Sequence, residues 1–405
     1  MSISDPLAIN QAASPSDAPA STSAVSALRR DDFDRDVWCL MGLPVDRADI
    51  NRAVAEIDDA IRTGRRLSFV TPNVNWLVRA LKDETARAEI LEADLSLVDG
   101  APLVAMAKLL GVPVKSRVAG SDLFEALRRR PGYAGRKLKV FFFGGRDGAA
   151  EAAFKAINSE AGGVEAVGWH NPGFGDIASM SAPEIISEIN DARPDFVLVA
   201  LGAAKGQAWI EHNRDRLTAP VTAHLGAVID FTAGGVARAP RWVQRAGLEW
   251  AWRIKEEPSL WVRYARDGMA LAGLVARRLA PQIGRASLAG ASDASVSVET
   301  ETEATTIRLS GRIGNDGLKP VREAFRAAAA RGAAVILDCS GLETVDRAFL
   351  GQLLMLEKHL NRVHARLSLA GANPALRAAL RANGMNYAAA EAPAAAPAGA
   401  LRKAG

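Results

Sequence analysis

The sequence predicts an α/β protein in which a parallel sheet with helices on both faces is followed by a second, smaller α/β domain. Between residues 36 and 245, short and continuously apolar runs alternate with amphipathic stretches of helical period. Most of these runs end in glycine or a polar residue, as strands do before the next helix. The same alternation returns at 305–390 after a small, polar segment at 285–304, which we interpret as a linker.

Six apolar runs supply the predicted strands of the first unit. The clearest is "LKVFFFGG" at 138–145, and a helix begins in the "DGAAEAAFKAIN" that follows it. The other runs are 67–73, 95–100, 164–173, 194–202 and 221–235. Ligands of parallel α/β sheets bind beyond the carboxyl ends of the strands. The first candidates for chemistry are therefore the residues at these ends: Thr71, Asn73, Asp99, Gly144, Gly145, Gly202 and Asp230.

The second unit is predicted to contain three strands that alternate with three helices. Its strands are "TTIRLSGRI", "AAVILDCSG" and "ARLSLAGA", and its helices are "LKPVREAFRAAAARG", "RAFLGQLLMLEKHLNRVH" and "PALRAALRANG". The order of these elements is typical of a small β–α–β–α–β–α domain.

Composition excludes several protein classes. Apolar residues make up 49% and charged residues 24% of the chain, which is ordinary for a globular protein, and the net charge is only +4. The two cysteines show no disulfide or zinc spacing, so we expect a reducing cytoplasm. We expect no signal peptide and no span of the ~20 apolar residues that cross a bilayer. Residues 1–35 and 391–405 are predicted to be flexible tails, and "DFDRD" at 32–36 a solvated charge run.

Two strand ends allow both a chemical and a plain structural interpretation. Asp99, in "LVDGAPLV", could act as a general base, but the local sequence alone favours an ordinary Asp-Gly turn. The glycines of "FFFGGRDG" could direct N–H groups at a diphosphate, or form only a tight strand-to-helix turn. They match neither GxGxxG nor a P-loop, so both alternatives stay open.

Other polar residues give weaker signals. Thr71 and Asn73 could bind a sugar or a base, although Asn73 could equally be a helix N-cap. Most polar residues of "LGAAKGQAWIEHN", at 201–213, are expected to be ordinary loop and helix residues. The five histidines show no metal-ligand spacing and are expected to be surface or satisfied structural residues.

Residues 238–266 combine tryptophan with arginine. Half of the chain's eight tryptophans lie between 242 and 261, among several arginines. This combination favours a lipid interface, where indole lies at headgroup level and arginine attracts anionic phosphate. A nucleic-acid surface is the alternative, but no RNA- or DNA-binding motif accompanies it. A buried helix with extended arginine side chains explains the composition almost as well as a lipid interface.

Taken in order, these strings resemble the WecG/TagA/CpsF glycosyltransferase family over residues 37–265. The strongest match is "GAVIDFTAGGVARAPRWVQRAGLEWAWRIKEEP" at 226–258, supported by "TPN", "VDGAPLV", "RVAGSDLFEAL" and "VFFFGG". The resemblance implies a Rossmann-like fold and an inverting hexosyltransferase (EC 2.4.1.-) that needs neither cofactor nor metal. The implied donor is a UDP-hexose or UDP-N-acetylhexosamine, such as UDP-N-acetylmannosamine. The implied acceptor is a sugar on a polyprenyl diphosphate, in envelope or exopolysaccharide synthesis at the inner face of the cytoplasmic membrane.

The resemblance also assigns roles to residues. It makes Asp99 the catalytic base and places Thr71 and Asn73 in the donor site. It also implies that Arg253 and Arg263 hold diphosphate and close the site over the membrane. The remaining substrate-binding candidates match the family's motifs or lie beside them: Gly144, Gly145, Gln207, Asp230 and Arg238.

The chain departs from the family's pattern at two places. "GAAKGQ" at 202–207 replaces G-x-P-K-Q-E, so that the family's glutamine falls on Gly206 and its glutamate on Gln207. Gln207 is expected to substitute after a shift of one residue, or the donor contacts have changed. Leu260 stands where the family often has an arginine, so one phosphate contact is either missing or replaced by Arg266.

The second unit resembles a STAS domain of the anti-sigma-factor-antagonist type. In phosphoregulated members a D-S-S-G-L-G segment carries the phosphorylated serine, whereas "DRAFLG" at 346–351 has Arg347 and Ala348 there. Because Ala348 lacks a hydroxyl, we expect a module that binds a protein partner or a membrane. Ser340 or Thr344 could be modified instead, but ordinary cap and turn roles are favoured.

We therefore expect an enzyme with a core at 36–245, a membrane-proximal appendage at 246–284 and the STAS-like domain at 305–390. Expected partners are the UDP-sugar, the lipid-linked acceptor, the membrane surface and a protein partner of the STAS-like domain, with no nucleic acid. Homo-oligomerisation is left open. The alternative is a non-catalytic scaffold that regulates polysaccharide synthesis through its STAS-like domain.

Overall fold

A computed structural model describes residues 30–235, 239–240, 242–243, 247–283 and 292–390. The strands of the first domain are β1 (Val37–Leu40), β2 (Leu43–Asp46), β3 (Leu67–Val70), β4 (Leu95–Ser96), β5 (Leu138–Gly144), β6 (Val164–His170), β7 (Phe196–Ala200) and β8 (Val221–His224). Its helices are α1 (Ile50–Thr63), α2 (Val74–Ala80), α3 (Glu84–Glu92), α4 (Ala101–Leu109), α5 (Gly120–Arg129), α6 (Ala149–Asn158), α7 (Pro183–Asp191), α8 (Ala203–Asn213), α9 (Gly226–Thr232), α10 (Glu249–Glu256) and α11 (Trp261–Leu274).

Six strands form a parallel sheet in the order β4-β3-β8-β7-β5-β6. The predicted α/β class with a parallel sheet is confirmed. The strands β3, β7 and β8 are buried along their whole length, which explains why their sequences are continuously apolar rather than alternating. Two buried clusters, one with Phe69 and Phe142 and one with Phe143 and Trp209, hold the helices against the sheet.

The N-terminal segment differs from the predicted tail. A 3-10 turn at Asp32–Asp34 leads into the antiparallel pair β1–β2, which the sequence analysis did not predict. Asp32 and Arg35 are 2% and 0% exposed, so the interpretation of residues 32–36 as a solvated charge run was wrong. The prediction failed because the partners of these charges lie far away in the sequence, as described below.

The second domain contains β9 (Ser295–Thr300), β10 (Ala304–Ile313), α12 (Leu318–Arg331), β11 (Ala334–Val345), α13 (Arg347–Arg362), β12 (Leu367–Ala370), α14 (Pro374–Ala382) and β13 (Ala388–Ala389). Its sheet has the order β13-β12-β11-β10-β9, with only β9 antiparallel to its neighbour. The predicted β–α–β–α–β–α order is present. The segment interpreted as a linker contains β9, whose polar and exposed residues pair with β10 through backbone hydrogen bonds that composition does not show.

Candidate active site

Asp99 lies at the carboxyl edge of the first sheet. The chain leaves β4 beside β3, since Leu97 N donates to Val70 O over 2.9 Å and Asp99 N donates to Pro72 O over 3.0 Å. Val118 N donates to Val98 O over 2.8 Å and fixes the other side of the segment. Gly100, with φ of 95°, turns the chain into α4. Asp99 is half-buried at this edge.

Thr71 and Asn73 follow β3 and lie on either side of Pro72. Asn73 is the N-cap of α2, and its side-chain oxygen accepts from Asn75 N at 3.1 Å and from Trp76 N at 3.4 Å. The cap that the sequence analysis weighed is therefore present and uses the oxygen. Because Pro72 O accepts from Asp99 N, the backbone of this pair adjoins that of Asp99. The structure thus brings these three predicted residues together.

Gly144 and Gly145 form a sharp turn at the end of β5. Gly145 N donates to Ala200 O over 2.8 Å, and a Cβ on Gly144 would lie 2.7 Å from the same oxygen. Both have positive φ, at 88° and 94°. The close approach of β7 at Gly144 and the positive φ of both residues therefore explain the two glycines without any ligand, which is the structural alternative that the sequence left open.

The turn leads into a cluster of charged side chains. Arg146 forms an ion pair with Glu257 and lies 3.8 Å from Asp230. Arg253 lies 3.5 Å from Glu257, and its guanidinium lies over the ring of Phe231 at 5.2 Å. The cluster thus joins three chain segments: the turn after β5, helix α9 and the appendage helix α10.

Asp230 has an unusual carboxyl group in this cluster. Burial raises its pKa, and the neighbouring Arg146 and Arg253 offset only part of that effect. Its Oδ1 is buried and has no hydrogen-bond partner among the described residues. A buried acceptor of this kind is normally satisfied, so a ligand hydroxyl or a water molecule is the expected partner.

The appendage is anchored close to Asp99. A Cβ on Gly247 would lie 3.1 Å from the Cβ of Ala101, two residues after Asp99. Glu249 pairs with Arg117, which also binds Asp122 at 2.9 Å. These contacts place the first turn of α10 beside the carboxyl edge of β4.

The second appendage helix, α11, packs on α2 through its buried Asp267. Its two carboxylate oxygens accept from Asn75 Nδ2 at 3.2 and 3.3 Å. Leu271, Leu274 and Leu279 join the apolar cluster around Trp76. One side of the appendage is therefore part of the first domain's core.

The other side of the appendage exposes apolar rings and arginines. Trp250 and Trp261 are 50% and 59% exposed, and α10 contains no buried residue. Trp242, which precedes the appendage, is 69% exposed. Arg263 is exposed and lies over the ring of Tyr264 at 5.1 Å, outside the cluster of Arg146 and Asp230. The buried-helix alternative is therefore wrong for these tryptophans. Across the described ranges, no helix is both long enough and apolar enough to span a bilayer.

Comparison with protein-family models identifies the first domain. The model described as "Glycosyl transferase WecG/TagA/CpsF family" matches residues 38–284, which is more than half of the chain. The chain belongs to this glycosyltransferase family. A second model, described as "Mlab, STAS domain", matches residues 296–387. The predicted fusion of a transferase domain with a STAS domain is confirmed.

Two curated proteins are similar to the transferase domain. One from Bacillus spizizenii is 31% identical over 195 residues, which cover 48% of this chain and 73% of that protein. One from Bacillus subtilis is 30% identical over 203 residues, which cover 50% of this chain and 75% of that protein. Both are named N-acetylglucosaminyldiphosphoundecaprenol N-acetyl-beta-D-mannosaminyltransferase.

Two solved structures are similar to part of the chain. The anti-sigma factor antagonist SpoIIAA in its unphosphorylated form is 23% identical and covers 24% of this chain and 89% of its own, with a TM-score of 0.22. The Bacillus cell fate determinant SpoIIAA in its phosphorylated form is 24% identical and covers 22% and 85%, with a TM-score of 0.21.

Gln207 and His224 are buried polar residues that lie close together in the transferase domain. Gln207 is fully buried, and its Nε2 donates to Glu211 Oε1 over 3.1 Å. His224 ends β8, and its ring lies against Gly206, where a Cβ would be only 2.0 Å from Cδ2. Gln207 Oε1 and His224 Nε2 are buried without a partner in the described part of the chain.

The sequence analysis missed His224. It was taken as a surface or satisfied residue, but it is 9% exposed and unsatisfied at Nε2. Burial, together with the positive charge of Arg79, lowers its pKa to about 4, so the ring is neutral near pH 7. Its position at the end of the apolar run "VTAH" was the available signal, because that is where ligands of such sheets bind.

Arg238, the first turn of α13 and the expected absence of a metal site are the remaining predictions. Arg238 lies outside the described residues. In the STAS domain, Asp346 caps α13 by accepting from Phe349 N at 2.9 Å, while Arg347 and Ala348 are buried. Within the described ranges, no group of three or more His, Cys, Asp or Glu residues is arranged to hold a metal ion.

Proposed function

We propose that this chain transfers a hexose or N-acetylhexosamine from a UDP-sugar to a sugar carried on a polyprenyl diphosphate, with inversion at the anomeric carbon. The observation that carries the proposal is the position of Asp99. The residue is half-buried at the sheet edge, beside the backbone of Thr71–Asn73 and near the start of the appendage. The names of the two Bacillus proteins support the substrate classes.

Asp99 acts as the general base in this mechanism. Its carboxylate accepts the proton of an acceptor hydroxyl, whose oxygen attacks the anomeric carbon of the donor. The bond from that carbon to the UDP oxygen breaks, and its electron pair leaves with UDP. Attack from the face opposite the leaving group inverts the configuration.

The cluster around Asp230 binds the donor in this proposal. Asp230 Oδ1, which has no hydrogen-bond partner among the described residues, accepts a hydrogen bond from a hydroxyl group of the donor. Arg146 and Arg253 each pair with Glu257. In the proposed complex they exchange this contact for the diphosphate of the donor. There they stabilise the negative charge that develops on the leaving UDP, in place of a metal ion. Thr71, the amide nitrogen of Asn73, Gln207 and His224 are proposed to contact the nucleotide or sugar.

The exposed face of the appendage holds the enzyme on the membrane that carries its acceptor. Trp250, Trp261, Arg263 and Arg277 are exposed on the appendage, and Trp242 is exposed just before it. Arg263 is proposed to bind the acceptor diphosphate or a lipid phosphate from this face. The location is therefore peripheral, on the cytoplasmic side of the membrane.

Replacement of Asp99 tests the proposal directly. Asp99→Asn keeps the shape of the side chain and removes the base, so UDP release should fall by about 10²- to 10⁴-fold. UDP release is measured with UDP-N-acetylmannosamine and a polyprenyl-diphosphate-N-acetylglucosamine mimic. Asp122→Asn is the matched control, because it makes the same change to a carboxylate that binds Arg117 and has no role in the proposed reaction; it should retain most of the activity. Unchanged turnover in Asp99→Asn would remove Asp99 as the base.

A non-catalytic scaffold is the second candidate function. Its support is the altered loop 202–207, where His224 leaves no room for a side chain on Gly206. UDP binding without turnover for every UDP-sugar of a panel would favour the scaffold over the enzyme.

A further inference from the structure

The STAS domain buries its helix α13 against the transferase domain. Twelve of the sixteen residues of α13 are buried, far more than the single apolar stripe of a surface helix. A Cβ on Gly351 would lie 2.3 Å from Val37 O, so the helix touches the backbone of β1. Phe33, Val37, Cys39 and Leu91 belong to the same apolar cluster as the core of the STAS domain.

Charged side chains close the rim of this interface. Glu357 accepts from Arg87 Nη2 at 2.9 Å and from the hydroxyl of Tyr387 at 2.7 Å. Arg362 binds Glu92 at 2.8 Å. The pairs of Arg87 with Glu357 and of Glu92 with Arg362 thus join α3 to α13.

Arg347 closes the opposite end of α13. Its Nε donates to Leu110 O over 3.1 Å, and its Nη2 donates to Gln282 Oε1 over 2.7 Å. The first turn of α13 therefore binds both α4 of the transferase and the end of the appendage.

Lys358 lies at the centre of the interface with no exposed surface. Its Nζ lies 3.0 Å from Asp32, 3.0 Å from Ala93 O and 3.9 Å from Asp94. Burial raises the pKa of both carboxyls, but Lys358 and the neighbouring arginines outweigh it and hold both pKa values below their usual range. Removal of the lysine would take one cationic partner from each of these buried carboxylates and leave Arg35 with Asp32 and Arg214 with Asp94.

Two lines of buried contacts run from Lys358 to the candidate active site. In the first, Asp94 binds Arg214, Arg214 lies 3.4 Å from Glu211, and Glu211 accepts from Gln207. In the second, Asp32 binds Arg35 at 2.8 Å and Arg35 binds Asp46 at 2.7 Å.

The second line ends on the strand that precedes Asp99. Asp46 Oδ2 accepts from Ser96 N at 2.7 Å, and Ser96 is the last residue of β4. Asp94 Oδ2 likewise accepts from Ser68 N of β3 at 2.8 Å. Asp94, which lies beside Lys358, therefore binds β3 directly, and Asp32 is linked to β4 through Arg35 and Asp46.

We propose that the partner of this STAS domain is the transferase of its own chain, and that Lys358 is a positioning residue for the donor site. The domain is a fixed part of the enzyme rather than a free module for other proteins at this face. The positioning role rests on the proposed function, whereas the docking of the two domains does not.

Cleavage of the full chain tests the docking. A protease site is inserted into the connecting residues 284–291, and the cut protein is passed over a size-exclusion column at micromolar concentration. We expect both fragments to elute together as one 1:1 particle. Separate elution of two folded fragments would overturn the proposal, and this readout does not depend on catalysis.

Lys358→Met tests the positioning role, with Lys319→Met on the exposed side of α12 as the matched control. We expect Lys358→Met to lower the melting temperature and to weaken UDP binding roughly threefold to thirtyfold, measured by calorimetry on the folded fraction. Lys319→Met should change neither. Asp32→Asn in the Lys358→Met background removes one of the two buried carboxylates that lost the lysine, and should recover part of the melting temperature even if the single variant folds poorly.

The outcomes separate the two proposals. Wild-type UDP affinity in folded Lys358→Met would show that Lys358 does not position the donor site. An intact protein that binds no UDP would count against the proposed function, while co-elution of the fragments would still support the docking.

Discussion

The most informative single residue is one that sequence reasoning set aside. His224 is buried at the carboxyl end of the central strand β8, its ring fills the space beside Gly206, and its Nε2 has no described partner. Asp99, Thr71 and Asn73 were found from the sequence because strand ends are visible there. The environment of His224 could not be found from the sequence, because its burial and its contact with Gly206 depend on how α8 packs on β8.

The lowered pKa of His224 makes the stability of the protein depend on pH. The unfolded ring binds a proton near pH 6.5 and the folded ring only near pH 4, so stability is complete above 6.5 and is lost as pH falls towards 4. The loss from this group should reach about 2 kcal/mol at pH 5.

Urea unfolding at pH 7 and pH 5 measures this loss. The free energy of unfolding should fall less with pH in His224→Gln than in the wild type, because glutamine does not titrate. His212→Gln, at an exposed position on α8, should follow the wild type. Identical pH dependence in all three proteins would show that His224 does not titrate as described.

At the scale of elements, the appendage has two different sides. Leu271, Leu274 and Leu279 pack into the transferase core, whereas the tryptophans face outwards. Sequence composition could show that the segment is unusual but could not separate the two sides, since that requires knowing where the helices dock. Deletion of the whole appendage would also remove core residues, so single substitutions are the better test of membrane binding.

Loss of exposed tryptophans should weaken binding to anionic vesicles. Trp250→Ala and Trp261→Ala should each reduce the affinity by about fivefold to tenfold, because each ring loses apolar contact worth ~1 kcal/mol. Vesicle co-sedimentation at low and high salt measures the effect, and binding should weaken as salt rises. Trp169→Ala, at an exposed position of β6, is the matched control. Equal binding of all variants would contradict a lipid-facing appendage.

For the whole molecule, the order of strands and helices was largely predictable and the union of the two domains was not. The runs that became β3, β5, β7, β8, β10 and β11 are apolar because they are buried, and burial leaves its pattern in the local sequence. Asp32 and Lys358 are separated by more than three hundred residues, and each looks solvated in its own surroundings. The strand β9 was not predictable from its local sequence either, because its place in the sheet comes from backbone pairing with β10.

A methyl group at Gly351 should disturb the contact between the domains. Gly351→Ala places a Cβ 2.3 Å from Val37 O, so α13 must move away from β1, at a cost of about 1–3 kcal/mol in unfolding free energy. Gly268→Ala, on α11 with open space around its Cβ, is the matched control and should be neutral or slightly stabilising. Thermal unfolding of both variants gives the comparison, and equal melting temperatures would show that α13 does not pack tightly on β1.

Carrying both halves of the interface on one polypeptide has a consequence for competitors. A short connection between two docking surfaces gives them an effective concentration on the order of millimolar towards each other. A free protein that presents a copy of α13 would displace the tethered helix only if its affinity were much higher or its concentration were also about millimolar. Signals that act on this enzyme through its STAS domain are thus expected to arrive at surfaces other than the one that α13 already fills.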